Sequence, residues 1–405
     1  MSDLNLEEMR TLYDEIMELV RLKQPTLAPD VMRLPVTDYT DQDRWEREVK
    51  MFRNTPHVIA FSTELSEPGS YWAKTMVGVP ILLTRQKNGE VRMFVNACRH
   101  RGAKVAAEGL GSAARLTCIY HAWTYGLDGK LLAIAERDLF GDVDKSCLGL
   151  TELAVEERAG LIWGVLTPGL ALDLDAFLGP EMDKNIRKAR FDRYHIVDRM
   201  DLPAANWKLA SEGYAESYHF ISLHAKSFGT FVYPNILKFD HYGLHTRYLT
   251  PALGIEKCDP TSLNELKRYV QIAYTLFPSM EFAFASDTAF TEHGGEERPL
   301  TERLFVNQVL PGASPDKSVT ISRTMVTEGG LAADRISETK NWAAMTHQTV
   351  RDEDYPVVQS TQDTLKSRAQ EYLIFGRNEI ALQHFHTTLH RLLDEEPKPA
   401  LQAAE

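Results

Sequence analysis

Two short segments constrain this chain more than anything else in it: Cys98-Arg99-His100 and, seventeen residues later, Cys118-Ile119-Tyr120-His121. Each sets a thiolate and an imidazole a few positions apart, on a stretch that follows or joins short β-like runs. Residues 58–61, 81–85 and 91–96 read as strands, with Asn88-Gly89 as the hairpin turn between the last two. A second hairpin signal, Asp128-Gly129, separates Trp123-Thr124-Tyr125 from Leu131-Leu132, and the apolar run 161–166 closes the set before Pro168-Gly169. A small β domain at about 45–168 therefore offers two loops able to hold one metal centre from both sides.

Two chemistries accept two cysteines and two histidines. Zinc takes them tetrahedrally and usually pairs like with like, as C-x2-4-C and H-x3-5-H. A Rieske [2Fe-2S] centre takes one Cys and one His from each loop, because both thiolates bind one iron and both imidazoles the other. The mixed pairing favours the cluster, with structural zinc as the alternative. Neutral imidazoles in place of two thiolates raise the potential to about −150 to +300 mV, from about −400 mV for an all-Cys plant-type centre. That range suits an acceptor from a ferredoxin or flavin donor. Four cysteines are too few for a disulfide framework, and Cys147 and Cys258, which stand alone, are expected as buried free thiols.

The 405 residues suffice for two or three packed units, and a net charge of −12 argues against general nucleic-acid or anionic-membrane binding. No uncharged apolar run approaches the ~20 residues of a membrane helix, and MSDLNLEEMR lacks the basic and apolar regions of a secretory signal. A cytoplasmic protein is expected. Leu6, Met9, Leu12, Ile16, Leu19 and Val20 recur at helical spacing; a second helix is predicted with Thr40 at its N-cap, Asp43 three positions on, and Trp45, Val49 and Phe52 on one face. Past 168, residues 206–218, 352–372 and 378–393 read as helices and 277–284, 304–309 and 319–326 as strands, an α+β pattern.

A second constellation lies in that part. Asn206-Trp207-Lys208 leads through Glu212, Tyr214 and Glu216 to Tyr218-His219 and then His224. Two imidazoles five apart on an unbroken helix would diverge by about 140°, so a break after His219 is needed to bring them together. Two His and one carboxylate on one face of an octahedron is the set that non-haem Fe(II) oxygenases use, since three positions stay open. Asp354, in the first turn of the helix predicted from 352, is the candidate carboxylate, although helix starts attract acids anyway and Asp352 and Glu353 adjoin it. Glu216, three residues before His219, falls on the same helical face, within reach of its second nitrogen.

The segments Cys98-Arg99-His100-Arg101-Gly102 and Cys118-Ile119-Tyr120-His121-Ala122-Trp123-Thr124-Tyr125, with Asp128-Gly129 after them, resemble the Rieske domain of the ring-hydroxylating oxygenase α subunits. Asn-Trp-Lys, a Glu-x-x-His-x4-His segment and a distant Asp opening a late helix extend the likeness over most of the chain beyond the N-terminal helix. The resemblance implies an α+β fold: N-terminal helices (1–44) packing on the catalytic domain, a small all-β Rieske domain (45–168), and a catalytic domain (169–405) whose antiparallel sheet is covered by helices in a helix-grip, START-like arrangement. It implies a [2Fe-2S] cluster on Cys98, His100, Cys118 and His121, and a mononuclear Fe(II) on His219, His224 and Asp354. Asn206 resembles a residue near the iron that is not a firm ligand, and a helix N-cap is an equally natural reading. At Glu216 the family usually has Asp, bridging an iron histidine to a Rieske histidine of the neighbouring subunit; relatives that oxidise quaternary ammonium compounds carry Glu.

The implied function is the terminal oxygenase component of a system that draws electrons from NAD(P)H through a flavin reductase and/or ferredoxin, and uses O2 to hydroxylate or dihydroxylate an aromatic or other small organic substrate. N- or O-demethylating monooxygenation, including that of a quaternary ammonium substrate, is the alternative within enzymes. An electron-transfer or zinc-stabilised binding protein is the alternative from another class. The resemblance further implies a cyclic homotrimer in which each cluster serves the next subunit's iron through Glu216 and His121; a β subunit is neither implied nor excluded. Three weaker features remain. His384, His386 and His390 read as a solvated helix face, with metal binding by the i, i+4 pair as the alternative; Arg99, Arg101, Lys104 and Arg115 form a local basic patch, suited to an acidic electron donor or simply to solvent; and Phe277, Phe282, Phe284, Phe290 and Phe305 suit either an apolar pocket or core.

Overall fold

The computed structural model describes residues 3–286 and 301–394, so Phe290 lies outside the described residues. They fall into two compact units, one of residues 49–174 and one of residues 3–48 with 175–394.

The smaller unit is built from antiparallel sheets. One has the order Glu152–Leu153, Val91–Val95, Val79–Arg85, Ser70–Met76, Gly109–Ser112; a second has Val155–Arg158, Leu161–Gly164, His57–Phe61; a third has Arg115–Thr117, Thr124–Gly126, Leu131–Ala133. The turn at Asn88-Gly89 forms as expected, with Gly89 at φ +86° and Gln86 N–H donating to the Glu90 carbonyl at 2.8 Å. Ile81, Leu82 and Leu83 are fully buried, which explains why that strand reads as a continuous apolar run.

The larger unit is organised on a seven-stranded antiparallel sheet in the order Tyr194–Ala204, Ser318–Thr327, Glu302–Pro311, Met280–Ser286, Val270–Leu276, His245–Pro251, Lys238–Tyr242. Strand Val270–Leu276 alternates strictly, burying Val270, Ile272, Tyr274 and Leu276. The N-terminal helix Leu6–Leu22 buries Met9, Leu12, Ile16, Met17 and Val20 and starts with a capping box between Asn5 and Glu8. The next helix, Gln42–Asn54, is capped one residue later than expected: Asp41 Oδ1 accepts from Arg44 N–H at 2.7 Å, while Thr40 belongs to the preceding turn Thr37–Thr40.

Two helical expectations are corrected. The helix predicted over 206–218 ends at Glu212, because Gly213 follows and the chain then enters a looser turn. The helix predicted over 352–372 is the tail of a longer array: Ile336–Thr349, a π-helical turn Val350–Asp354, then Tyr355–Leu365, after which Tyr372–Phe375 pairs as a strand with Met32–Pro35. Helix Ile336–Thr349 escaped prediction because its buried side includes Thr339, Thr346, His347 and Thr349, which erases the hydrophobic period.

Asn206-Trp207-Lys208 anchors the helix Trp207–Glu212 ahead of the histidines. Lys208 Nζ reaches both oxygens of the fully buried Glu48 at 2.6 Å, Trp207 Nε1 donates to Glu48 at 2.7 Å, and Arg44 Nε adds a contact at 3.1 Å. Burial pulls the Lys208 ammonium below its ordinary pKa, and Glu48 opposes that shift. No helix among the described residues is long and apolar enough to cross a membrane.

Candidate metal centres and active-site cavity

The two loops of the first constellation are built alike. Cys98 N–H donates to the Ala103 carbonyl and Gly102 N–H to the Cys98 carbonyl, both at 2.8 Å; Cys118 N–H donates to Trp123 at 2.8 Å and Ala122 N–H to Cys118 at 3.0 Å. Each loop reverses through a positive φ, +77° at Gly102 and +55° at Ala122, a costlier conformation for the alanine. Both thiols are buried, and the His100 and His121 rings lie 4.6 Å apart, His100 stacked on Trp123 at 4.9 Å. His100 Nδ1 is buried with no hydrogen-bond partner, an orphaned ring nitrogen of the kind a metal ligand leaves. The four residues therefore fit a cluster. The Tyr125 hydroxyl lies 3.3 Å from Cys98 Sγ and accepts from Arg99 N–H at 3.0 Å, which leaves its proton free for the sulfur. Arg99, Arg101, Lys104 and Arg115 are all exposed, and Lys104 pairs with Glu108 at 2.7 Å. Cys258 is buried as expected, but Cys147 is exposed, because it sits in a short surface turn beside Asp144.

The second constellation converges. One nitrogen each of His219 and His224 and one oxygen of Asp354 lie within 4.8 Å of one another, the only such trio of donors among the described residues. Asp354 Oδ1 is 3.6 Å from His219 Nε2 and 3.1 Å from His224 Nε2. His219 stands at the start of the 3-10 turn His219–Ile221 rather than on the preceding helix. Glu216 reaches it without sharing a helical face: one carboxylate oxygen meets Nδ1, and the other accepts from the backbone N–H groups of Tyr218 and of His219, the latter at 3.1 Å. The chain then turns tightly enough that Gly229 packs against the His224 carbonyl, where an added Cβ would lie only 2.8 Å from that oxygen.

One contributor was missed by sequence reasoning. Glu353 Oε2 lies 2.7 Å from His224 Nδ1 and accepts from Ser227 Oγ at 2.8 Å, so each imidazole has a glutamate on its Nδ1 side and turns Nε2 toward Asp354. That fixes the tautomer a metal requires. The π-helical turn lets two successive acids reach the same ring; Asp352, one residue earlier, instead pairs with Arg351 in solvent. In sequence, Glu353 was only one of three adjacent acids. Burial pulls the His224 pKa down, but hydrogen bonds and charges from Asp354 and Glu353 outweigh this and leave it raised.

Asn206 does not join the trio. Its Oδ1 caps the helix at Lys208 N–H (2.9 Å) and its Nδ2 donates to the Tyr39 and Pro315 carbonyls at 2.9 and 2.7 Å, so its side chain is fully used in the scaffold. The late histidines are not a solvated face either. His386 is buried against Glu212 (2.9 Å) and the Tyr39 hydroxyl (3.3 Å), His390 meets Asp38 at 2.5 Å, and His384 stacks on His241, burial and that neighbour pulling its pKa to about 4.

His219, His224 and Asp354 open into a cavity of about 440 Å³ between the sheet and its covering helices. The Phe305 ring faces it; Phe284, between Ala283 and Ala285, borders it by its strand position while its ring packs on Tyr194 and Phe282 on the sheet's other face, and Phe277 and Phe282 are core. Room exists because Ala273, Ala283 and Ala285 hold cavity-facing positions on adjacent strands. Among titratable groups lining it, Tyr214 and Tyr355 share a hydroxyl contact at 3.2 Å, and burial raises both pKa values, that of Tyr355 to about 12.

Comparison with known proteins agrees with this geometry. Residues 191–395 match the family description "Ring hydroxylating alpha subunit (catalytic domain)", and residues 55–139 match "Rieske [2Fe-2S] domain". The chain is 30% identical to the biphenyl 2,3-dioxygenase α subunit of Rhodococcus jostii over 51% of its own length, spanning 44% of that subunit. It thus spans less than half the length of the dioxygenase subunits it matches. Chloroplastic choline monooxygenase of Amaranthus tricolor is 25% identical over 97% of this chain and 85% of that protein. A crystal structure of a quaternary ammonium Rieske monooxygenase superposes with a TM-score of 0.75 over 89% of this chain and 96% of that one, at 23% identity, a likeness of fold. With half of its length in the catalytic-domain match and the Rieske domain ahead of it, the chain belongs to the ring-hydroxylating α-subunit family.

Proposed function

We propose that this protein is the terminal oxygenase component of a cytoplasmic Rieske oxygenase system that oxidises a small organic molecule with O2. The observation that carries the reading is the convergence of His219, His224 and Asp354 at the wall of an apolar cavity, in a chain that also holds paired Cys/His loops. Loaded, the sites would supply two things: a ferrous ion with open positions for O2, and a [2Fe-2S] cluster on Cys98, His100, Cys118 and His121 that passes single electrons.

The chain's own residues prepare that chemistry. Glu216 and Glu353 hold the Nδ1 protons of His219 and His224, which keeps each Nε2 lone pair free and aimed at the metal position. Phe220 and Phe228 set their ring edges against His224 at 5.1 and 5.5 Å and limit water on that side. Substrate would lie in the cavity beside Asp354. Electrons would come from NAD(P)H through a flavin reductase or ferredoxin, and the assembly would be a ring of three copies in which Glu216 of one faces His121 of the next. Ring hydroxylation and N- or O-demethylation use the same set of residues, so the substrate decides between them. The reading is tested by O2 uptake with NADH, a surrogate reductase and candidate substrates, with oxygen-18 from O2 sought in the product. A protein containing both acid-labile sulfide and mononuclear iron that incorporates no O2-derived oxygen into any of them refutes it.

A further inference from the structure

We infer that the cavity selects a small organic cation bearing no carboxylate, with Glu281 as its counter-charge. The inference deepens the oxygenase reading and rests on it only in taking the cavity's occupant for the substrate. Among the described residues that line the cavity are five carboxyls, two histidines and neither Lys nor Arg. Away from the metal position, an anion, or the acidic end of a zwitterion, would meet no Lys or Arg side chain there.

Four of the five acids are already engaged. Glu212 accepts from the Tyr39 hydroxyl at 2.6 Å and faces His386; Glu216 holds His219; Asp354 lies between the two imidazoles; Glu379 accepts from Gly376 N–H at 2.6 Å. Glu281 stands apart. Only 9% exposed, it has a buried Oε2 with no hydrogen-bond partner, and no cation offsets its burial, which pushes the carboxyl well above its usual range. Its register neighbour on the next strand, Asn307, has a buried Oδ1 that is likewise unpartnered, and Ser217 Oγ, also at the cavity wall, is a third such atom. A buried acid without a partner costs the fold free energy, so its presence at a cavity wall points to a ligand that supplies the missing charge. The same cavity presents Phe305 and Trp342, and aromatic faces attract organic ammonium ions even when these carry no N–H donor. Charge balance, the single unengaged acid and the aromatic walls select the same chemistry.

The test uses the full chain with both metal sites loaded and reads binding by calorimetry, without turnover. The probes share one scaffold: benzyltrimethylammonium, its neutral carbon isostere neopentylbenzene, and the zwitterion 4-(trimethylammoniomethyl)benzoate. The cation is expected to bind at least about tenfold more tightly than either of the others, and Glu281→Gln should abolish that preference while leaving the neutral probe within about twofold. A cation bound no better than its neutral isostere, or a preference that survives Glu281→Gln, overturns the inference. If the Gln variant binds neither probe, the ratio in the unaltered protein decides alone. Selective binding without O2 uptake would sink the oxygenase reading and leave this one standing; O2 uptake with only neutral or acidic substrates would do the reverse.

Discussion

Three successive acids, Asp352, Glu353 and Asp354, have three different environments, and this permits a sharp test of how the metal site is held. Glu353 Oε2 receives both His224 Nδ1 (2.7 Å) and Ser227 Oγ (2.8 Å). Removing such a carboxylate–histidine partner typically weakens metal binding by about 10- to 100-fold, equivalent to about 1.4–2.7 kcal/mol. Here a fallback exists, because Ser227 Oγ lies 3.4 Å from the same nitrogen and can take over part of the contact. Glu353→Ala should therefore fall near the lower limit, about tenfold, and Glu353→Ala with Ser227→Ala should approach about 100-fold. Glu353→Gln keeps an acceptor oxygen and should lose less than the alanine variant. Asp352→Ala, which removes solvent-exposed contacts with Arg351 and Gln348 and none with the imidazoles, should match the unaltered protein. The assay is chelator competition for Fe(II), or for Co(II) as an air-stable reporter. Orientation by Glu353 is refuted if Glu353→Ala binds within about twofold of normal. If the Gln variant is as weak as the Ala variant, negative charge and not ring orientation is what Glu353 supplies.

Two further outcomes are expected. Tyr125→Phe removes the hydroxyl 3.3 Å from Cys98 Sγ; a hydrogen bond of about 0.5–1.5 kcal/mol, at about 59 mV per 1.4 kcal/mol for one electron, should lower the cluster's midpoint by about 20–60 mV in a spectroscopic redox titration, and an unchanged or raised midpoint contradicts it. Burial holds His57 and His245 neutral with pKa values of about 4, against 6.5 when free, so the unfolded chain takes up a proton below 6.5 that the folded chain refuses. The stability this gives is complete above pH 6.5 and declines as pH falls toward 4, by about 2 kcal/mol per histidine at pH 5. Urea unfolding at pH 7.5 and 5 should show a smaller acid loss for His245→Gln, and an equal loss in both proteins refutes the assignment.

What was legible in the sequence depended on how local the determining physics is. The paired loops could be read because Cys98/His100 and Cys118/His121 are each set by a few residues of tight turn, and a turn's requirements are written in its own sequence. His219 and His224 could be read from their spacing, but the reason they meet could not: the chain leaves the helix at Gly213, earlier than their separation alone suggests, and Glu216 then caps a new turn. Asn206 stayed open in the sequence because an N-cap asparagine and a polar residue beside a metal are the same letter in the same place; the structure shows the cap, with the amide nitrogen held by the Tyr39 and Pro315 carbonyls.

Glu353 and Glu281 were illegible for opposite reasons. Glu353 was hidden among acids that a helix start would attract in any case, and only the π-helical turn, a property of two joined helices, gives it a role different from Asp352. Glu281 was hidden in a strand whose pattern called for an apolar residue, so its charge looked incidental until register placed it beside Asn307 on the cavity wall. A polar residue that violates its local pattern without a structural partner is where selection for folding and selection for binding part company. In this chain the proposed metal ligands have hydrogen-bond partners even without a metal, whereas Glu281 Oε2 is buried with none, and on the reading proposed above that difference separates the residues that build the reaction site from the one that selects what enters it.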